Sequence, residues 1–246
     1  MKTTFSSSLT YKSVVMAFAT LLLSPLLWQP PRVAADEPPV IFGPSDADSV
    51  QVYSGMTGYK NSFWWDHTNL TVAVSAAPNT DPVLVEAIHD AIETWRTVLA
   101  SRLPIVSLTD VTHTILNPQK ADIVIHYIPH AGGIAWSGRA NCAVQKCPSV
   151  IVRSDVPEHN DSAESDYDAT RVYKTTLHEM GHALGLGHAT PLDESLDLMG
   201  YGWSVPDPDL TPILSDCDLE GIAAVFEWAL KGEAPHPATI TSVTCR

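Results

Sequence analysis

Residues 70–75 alternate between apolar side chains and smaller or polar ones. The apolar set is Leu70, Val72 and Val74, and the other set is Thr71, Ala73 and Ser75. Alternation with a period of two places each set on its own face of a strand. The segment therefore predicts a half-buried β-strand.

A helical period replaces the alternation after residue 81. Asp81 suits a helix N-cap, and Pro82 suits the first turn. Apolar residues then recur at helical spacing and form one stripe: Leu84, Ile88, Ala91, Ile92, Trp95, Val98 and Leu99. The pattern predicts a long helix that buries this stripe in the core.

The rest of the chain predicts further strands and helices. β-Branched runs over Ala121–Ile128 and Ser149–Arg153 predict strands, and Gly132–Trp136 predicts a short edge strand. Apolar residues at helical spacing predict helices over Thr170–Leu186 and Asp216–Leu230. This order of elements predicts a mixed lobe of helices and sheet.

The N-terminal 35 residues have the layout of a secretory signal peptide. Lys2 and Lys12 lie in a positively charged segment that precedes an apolar core over Val14–Leu27. The alanines at 34–35 suit a cleavage site. An uncleaved membrane anchor is the alternative, but the core is shorter than the roughly 20 residues that a membrane span needs. We therefore expect a secreted, extracellular protein with no stable membrane insertion after the signal is removed.

Residues 36–65 are rich in Pro, Gly, Asp and Ser, and they predict an extended lead-in segment or a short prosegment. Regular structure is expected to begin near Asn69. Residues 66–246 have a length that one domain with a single core can reach. We expect them to form one domain of a monomeric protein.

Acidic residues outnumber basic residues in this chain. There are 28 Asp and Glu against 14 Lys and Arg in 246 residues, which gives a formal net charge of −14. Such a chain repels a polyanion, and no cluster of Lys or Arg offsets its charge. We therefore expect no nucleic-acid partner.

All four cysteines follow the predicted signal peptide, and an even number in an oxidising compartment favours disulfides. Four cysteines allow three pairings. Local closure favours Cys142–Cys147 within a short loop and Cys217–Cys245 between a late helix and the tail. Zinc binding by cysteines is the alternative, although the spacing of Cys142 and Cys147 has no matching second pair.

Residues 178–188 fit the pattern H-E-x-x-H-x-x-G-x-x-H in full. On a helix, His178 and His182 lie one turn apart on the same face, so both can aim an imidazole at one zinc ion. Gly185 lets the chain leave the helix sharply, because glycine adopts a positive φ without a Cβ penalty. His188 can then return to the same ion, whereas a straight helix would carry it away.

Glu179 adjoins the first histidine and is placed to act on a water molecule beside the metal. Three histidine ligands leave one position on zinc for water and substrate, and zinc lowers the pKa of that water to about 7. Glu179 can accept a proton from the water as general base and pass it to the leaving amine as general acid. A chance group of histidines on a helix is the alternative, and it does not explain these fixed positions.

This segment resembles the zinc-binding signature of metzincins, and Leu198–Tyr201 resembles the methionine turn that follows it. The resemblance implies an α+β, zincin-like fold: a mixed twisted sheet, a long backing helix, an active-site helix and a small C-terminal lobe with a final helix. It also implies that Met199 forms an apolar floor beneath the metal, an ordinary packed methionine being the alternative. The short spacing to Met199 and the residues Leu214–Ile222 favour matrixins within the metzincins, over roughly residues 65–230. By the same resemblance, Gly132–Ala135 would belong to the edge strand that binds an extended peptide.

Two features depart from the matrixin pattern. No cysteine precedes Cys142 in the sequence, so the cysteine-switch latency of vertebrate matrixins cannot operate. If residues 36–65 are inhibitory, Asp46 or Asp48 would cap the zinc instead. Tyr201 occupies the position where astacins and serralysins place a tyrosine near zinc, and it would either donate a hydrogen bond to the oxyanion or form a wall of the specificity pocket.

Two weaker patterns suggest further metal sites. His126 and His130 share the spacing of a second zinc site, but ordinary histidines at a strand end are the favoured interpretation. The acidic loop over residues 154–168 suggests a calcium site, but a solvated loop is favoured there. Its candidate ligands are Asp155, Asp161, Asp166 and Asp168.

The residues and the resemblance together predict a secreted zinc endopeptidase. It would hold one catalytic Zn²⁺ and hydrolyse polypeptides with water that zinc and Glu179 activate. A non-catalytic zinc-binding module or a calcium-dependent adhesion module with the same fold is the alternative. Inactive relatives typically lose the general base or a ligand, whereas this chain keeps all four residues.

Overall fold

The structure is a computed structural model that describes most of the chain beyond the predicted signal peptide. It describes residues 40–53, 64–128, 138–143, 146–153, 164–203 and 210–246. Within these ranges, only the backbone is described for residues 141–143, 146–149, 153 and 164–168. The predicted signal peptide, the strand predicted over Gly132–Trp136 and His130 lie outside the described residues.

Five strands form the main sheet. They are β3 (Asn69–Ser75), β4 (Ser107–Asp110), β5 (Ile123–Ile128), β6 (Gly138–Ala143) and β7 (Lys146–Arg153). Their order is β4-β3-β5-β7-β6, and neighbours pair in parallel except for β6, which is antiparallel to β7. A short connection can join antiparallel neighbours, whereas parallel pairs need a crossover. Among the described strands of this sheet, β6 lies at one edge, next to β7, its neighbour in the chain.

Strand β3 is buried on both faces, so the prediction of a half-buried strand is wrong in part. Leu70 and Val72 are fully buried, as the alternation requires, but Ala73 on the other face is also inaccessible to solvent. A small second cluster of Ala73, Ala121 and Val124 covers that face. Strands inside a parallel sheet are covered on both sides, and one alternating segment does not reveal this.

Two long helices, α1 (Pro82–Arg102) and α2 (Glu164–Leu184), pack against each other and against the sheet. Helix α1 confirms the predicted helix, and the side chain of its N-cap Asp81 accepts a backbone hydrogen bond from the first turn. Trp95 in its apolar stripe donates its indole N–H to the carbonyl of Leu177 in α2, at 3.0 Å. Helix α1 is thus the backing helix for α2.

The boundaries of α2 differ from the helix predicted over Thr170–Leu186. The helix begins earlier, at Glu164, and ends at Leu184. Gly185 follows with a φ of 112°, which is incompatible with continuing the helix. The chain then enters strand β8 (Leu186–Thr190). The sharp exit predicted at Gly185 is therefore confirmed, and the predicted helix is two residues too long at its end.

Regular structure begins well before Asn69, so that expectation is wrong. Strand β1 (Ile41–Gly43) pairs in parallel with β9 (Ile213–Ser215). Strand β2 (Ser49–Val52) lies between β8 and β10 (Ser242–Thr244) and is antiparallel to both. Strands this short contain too few residues for a period of two to stand out among Pro, Gly and Asp. Their pairing depends on partners far away in the sequence.

The final helical region consists of two helices rather than the one predicted over Asp216–Leu230. Helix α3 (Asp216–Val225) is followed by α4 (Glu227–Lys231). Ser215 and Asp218 form a capping box that fixes the start of α3. The break lies at the fully buried Phe226, whose φ of −101° and ψ of 20° interrupt the helical backbone.

The predicted disulfide between Cys217 and Cys245 is confirmed. It ties the first turn of α3 to the end of β10, the strand that pairs with β2. The side chains of Cys142 and Cys147 are not among those described. None of the described helices combines the length and the apolar composition that a bilayer crossing requires.

Candidate metal centre

Helix α2 and strand β8 bring three histidines together. His178 and His182 lie one turn apart near the end of α2, and the turn at Gly185 lets β8 carry His188 back towards them. The candidate ligand atoms of the three side chains all lie within 4.8 Å of one another. In the described part of the chain, no other group of three or more His, Cys, Asp or Glu side chains is arranged to hold a metal ion.

Backbone carbonyls hold two of these imidazoles in place. Nδ1 of His178 lies 2.7 Å from the carbonyl oxygen of Leu198, and Nδ1 of His182 lies 2.9 Å from that of Leu186. Because a carbonyl oxygen only accepts, each Nδ1 carries the proton, and Nε2 keeps its lone pair. Nε2 of His178 is buried and has no hydrogen-bond partner in the described structure. An orphaned acceptor of this kind fits a metal ligand.

Burial keeps the three imidazoles neutral. It lowers the pKa of His178 to about 4, and the nearby His188 adds a smaller effect in the same direction. Burial also lowers the pKa of His182 well below its ordinary value and lowers that of His188. A neutral imidazole is the form that binds a metal. Three neutral imidazoles with room for a fourth ligand are a donor set that suits zinc.

Glu179 lines the same cleft as His182 and His188. The side chain is almost fully buried, and this burial raises its pKa to about 8. A backbone hydrogen bond from Ala140 and the positive charge of Arg139 oppose the rise only in part. Oε2 has no hydrogen-bond partner among the described atoms. A buried carboxyl group with an unpaired oxygen is suited to taking up and releasing a proton.

Met199 packs against α2 between the two helical histidines. A Cβ atom built on Gly181 would lie 2.5 Å from Sδ of Met199, so a side chain at that position would displace the thioether. Met199 is fully buried, and its amide donates to the carboxylate of Asp197. Its carbonyl accepts from the amide of Ala189 in β8. The turn at Met199 is therefore fixed against both elements that carry the histidines.

The hydroxyl of Tyr201 lies 2.9 Å from Nε2 of His188. The tyrosine ring also faces His178, with ring centroids 5.4 Å apart. Burial raises the pKa of Tyr201, and the carboxylates of Glu179 and Asp193 raise it further. The hydroxyl therefore stays protonated and can donate a hydrogen bond beside the histidines.

Comparison with known proteins identifies the family. The family Peptidase_M10, described as matrixin, matches residues 64–227. This chain belongs to the matrixin family. The matched range contains the main sheet, both long helices and the three histidines, and its α+β architecture confirms the predicted fold class.

Three curated relatives are similar to this matrixin. Interstitial collagenase of Bos taurus is 29% identical over 170 residues, which cover 66% of this chain and 32% of the collagenase. Interstitial collagenase of Oryctolagus cuniculus is 27% identical over 168 residues, with the same coverage, and interstitial collagenase B of Mus musculus is 26% identical over 186 residues. The chain thus spans about a third of the length of these relatives.

A solved structure is also similar to this chain. It is archaemetzincin from Methanopyrus kandleri, which aligns with 65% of this chain and 97% of its own, at 17% identity and a TM-score of 0.43. Independently of that alignment, the family match and the histidine triad together support zinc as the metal.

The cleft of this matrixin also contains side chains that sequence reasoning did not assign to it. Tyr53 lines the cleft just after β2, and Arg139 lines it from β6. The ring of Tyr53 stacks on His182, with centroids 5.5 Å apart and 18° between the planes. No local signal in the sequence points to Tyr53, because β2 is too short for its alternation to stand out.

Asp46 does not cap the metal, so that expectation is wrong. Its carboxylate accepts hydrogen bonds from the hydroxyl of Ser195 and from the amides of Leu196 and Asp197. Although burial opposes the effect, these bonds lower the pKa of Asp46. Asp48 pairs through its backbone with Thr190 and with the tail. The lead-in segment thus fixes the loop before the methionine turn.

The weaker metal patterns lie apart from this centre or outside the described residues. His126 lies on β5, where its Nε2 is 3.4 Å from the side-chain amide of Gln119. His130, with which it was paired by spacing, is not among the described residues. The same holds for the side chains of the acidic loop: Asp155, Asp161, Asp166 and Asp168.

Proposed function

We propose that this matrixin is a secreted zinc-dependent endopeptidase. One observation carries the proposal: neutral imidazoles converge on one point, and a buried carboxyl group with an unpaired oxygen lines the same cleft. Nε2 of His178 and Oε2 of Glu179 are buried without a hydrogen-bond partner among the described atoms, and unpaired buried polar atoms cost free energy. Such atoms are expected where a ligand and a substrate bind.

His178, His182 and His188 would hold the zinc ion. Bound zinc supplies a Lewis acid that polarises the scissile carbonyl and lowers the pKa of water. The carbonyls of Leu198 and Leu186 orient two of the ligands through Nδ1. These two hydrogen bonds would keep the imidazoles of His178 and His182 in the same orientation during turnover.

Glu179 would move the proton. Its carboxylate accepts a proton from the attacking water, which makes that water a better nucleophile. The carboxylic acid then donates the proton to the nitrogen of the departing amine. Burial raises the pKa of Glu179, and this favours the second step, in which the group must carry a proton.

Tyr201 would stabilise the transition state as a hydrogen-bond donor. Its hydroxyl lies beside His188 and inside the cleft, where negative charge develops on the carbonyl oxygen of the substrate. Met199 would support the ligands from the apolar side. The alternative role of Tyr201 as a wall of the specificity pocket predicts a change in KM rather than in kcat.

The substrate would be an extended polypeptide that pairs with strand β6. Among the described strands, β6 has a partner, β7, on one side only. Gly138, Arg139 and Ala140 of this strand line the cleft together with Glu179. A peptide that adds to the sheet edge at this point would bring its backbone to the histidines.

We propose a monomer with no nucleic-acid partner, with residues 1–35 as the signal peptide.

The test is hydrolysis of denatured casein by the purified chain, with zinc counted in the same sample. We expect about one zinc ion per chain, and we expect Glu179→Gln to lower kcat at least 100-fold while the zinc content stays unchanged. Glu220→Gln is the matched control, since Glu220 is exposed on α3. Full activity in Glu179→Gln would contradict the proposed mechanism. Zinc without hydrolysis in the unaltered chain would favour a non-catalytic zinc-binding module.

A further inference from the structure

Tyr53 contacts the metal centre from a part of the chain that the zinc signature does not include. Its ring is stacked on that of His182, with centroids 5.5 Å apart and planes 18° from parallel. It also meets His188 edge-on, with centroids 6.5 Å apart. Both distances lie within the range over which aromatic rings attract each other. One tyrosine thus contacts two of the three histidines.

The backbone of Tyr53 is anchored at the turn that ends α2. Its amide donates to the carbonyl of Gly185 at 2.9 Å. The preceding strand β2 pairs with β8 on one side and with β10 on the other. The Cys217–Cys245 disulfide ties β10 to α3. The backbone that carries Tyr53 is therefore held by a sheet and a covalent link.

Gly187 provides the space that the tyrosine ring occupies. A Cβ atom at this residue would lie 2.7 Å from Cε1 and 2.9 Å from Cδ1 of Tyr53, and 2.5 Å from Cβ of Gln51. These distances are too short for a side chain to fit. The strand that carries His188 therefore lies directly against β2 and Tyr53.

The stacking of Tyr53 on His182 restrains rotation of the imidazole plane, which the hydrogen bond of His182 to Leu186 does not prevent. Nδ1 of His182 donates to the carbonyl of Leu186, which fixes one atom of the ring. Rotation of the ring plane about that contact would move Nε2 away from the common point. A parallel aromatic face on one side of the imidazole opposes this rotation. Two contacts together define both the direction and the plane of the ligand.

We propose that Tyr53 is a positioning residue for the metal ligand His182, and that the segment 40–53 is a permanent part of the catalytic unit rather than a removable prosegment. The proposal rests on the proposed function, because it assumes that His182 binds zinc. It also extends that function, since it adds to the site a residue that lies far from the signature in sequence.

The experiment compares Tyr53→Phe and Tyr53→Leu in the full chain. Zinc affinity is measured by competition with a chelator, and the ligand geometry is followed through the visible absorption spectrum after cobalt(II) substitution. We expect Tyr53→Leu to lower zinc affinity roughly threefold to tenfold and to change the cobalt spectrum, because the aromatic face is lost. We expect Tyr53→Phe to keep both properties, because it keeps the ring.

Ser49→Ala is the matched control in the same strand, at a site whose backbone pairs with the tail. It tests whether weakening β2 in general alters the metal centre, and we expect no change in zinc affinity. Wild-type affinity and spectrum in Tyr53→Leu would overturn the proposal. If Tyr53→Leu fails to fold, a threefold or larger loss of zinc affinity in Tyr53→Phe would overturn the proposal, since the ring is retained there.

These outcomes are distinguishable from failure of the proposed function. Zinc affinity and the cobalt spectrum are measured without turnover, so they report on Tyr53 even if the chain hydrolyses no peptide. Recovery of a folded, zinc-binding chain after proteolytic removal of residues 40–53 would also contradict the proposal. Retention of these residues in the active chain, established by N-terminal sequencing, would support it.

Discussion

Two groups of histidines in this matrixin differ in the partners of their ring nitrogens. In the metal centre, His178 and His182 donate through Nδ1 to backbone carbonyls, and burial lowers their pKa. His89 on α1 instead lies 2.5 Å from the carboxylate of Asp110. The hydrogen bond to Asp110 raises the pKa of His89 more than burial lowers it. The same side chain is neutral in one region and favours its charged form in the other.

The difference shows how the hydrogen-bond partner and the burial of a histidine together set its protonation state. A carbonyl acceptor fixes the imidazole without favouring the charged form, so the second nitrogen keeps a lone pair for a metal. A carboxylate favours the imidazolium form, in which both nitrogens carry protons and neither can bind a metal. Only the structure distinguishes the two kinds of histidine, through their burial and their hydrogen-bond partners.

The largest effect is expected where a histidine is a ligand. We expect His182→Ala to lower zinc affinity at least about 100-fold, since even the loss of a partner to a ligand costs roughly 10- to 100-fold. Peptide hydrolysis should be lost with it. Zinc content after dialysis and the thermal unfolding midpoint with and without a chelator measure the change. His126→Ala is the control, and an equal loss of zinc there would show that the loss at His182 is not specific to the metal centre.

An intermediate effect is expected at the pair of His89 and Asp110. Hydrogen bonds from His89 and Thr112 outweigh burial and lower the pKa of Asp110 to about 2. This carboxylate therefore stabilises the fold above about pH 4, and the contribution is lost as the pH falls towards 2. The pKa of His89 is raised, so its contribution is complete below about pH 6.5 and is lost as the pH rises through the raised value.

Asp110→Asn should therefore lower the free energy of unfolding by about 1–2 kcal/mol between pH 4 and 6.5, and by less on either side. Glu86 and Asp90 also favour the charged form of His89, and His113 stacks on it at 5.7 Å. Urea unfolding across this pH range measures the effect, with Asp216→Asn at an exposed position as the control. A uniform loss at all pH values would indicate lost packing instead of lost charge pairing.

The smallest effect is expected at His67, whose side chain is 39% exposed. Its Nδ1 lies 2.6 Å from Asp66 and its Nε2 lies 3.4 Å from Asp122, and these contacts raise its pKa against the effect of burial. Solvent screens exposed pairs of this kind. We expect His67→Gln to lower the free energy of unfolding by less than about 0.5 kcal/mol at pH 6. A loss larger than that of Asp110→Asn would show that burial does not set the strength of these pairs.

The elements that sequence predicted well are those whose signals are local. Helix α1 follows from its N-cap Asp81 and a stripe that runs to Leu99, and its bounds match closely. Gly185 predicts the sharp exit from α2, although the apolar pattern continues through Leu186 and makes the predicted helix two residues too long. Pairing between β2 and β8 was missed, because nothing near Ser49 specifies a partner so far along the chain.

The sequence by itself determined the chemistry of residues 178–188. Helical spacing places His178 and His182 on one face, and a glycine permits the turn that brings back His188, so one contiguous segment specifies the three histidines. Only the tertiary structure decided which nitrogens are free, how deeply Glu179 is buried and that Tyr53 stacks on the centre. These properties depend on atoms from distant parts of the chain, and burial and charge act through space rather than along the sequence.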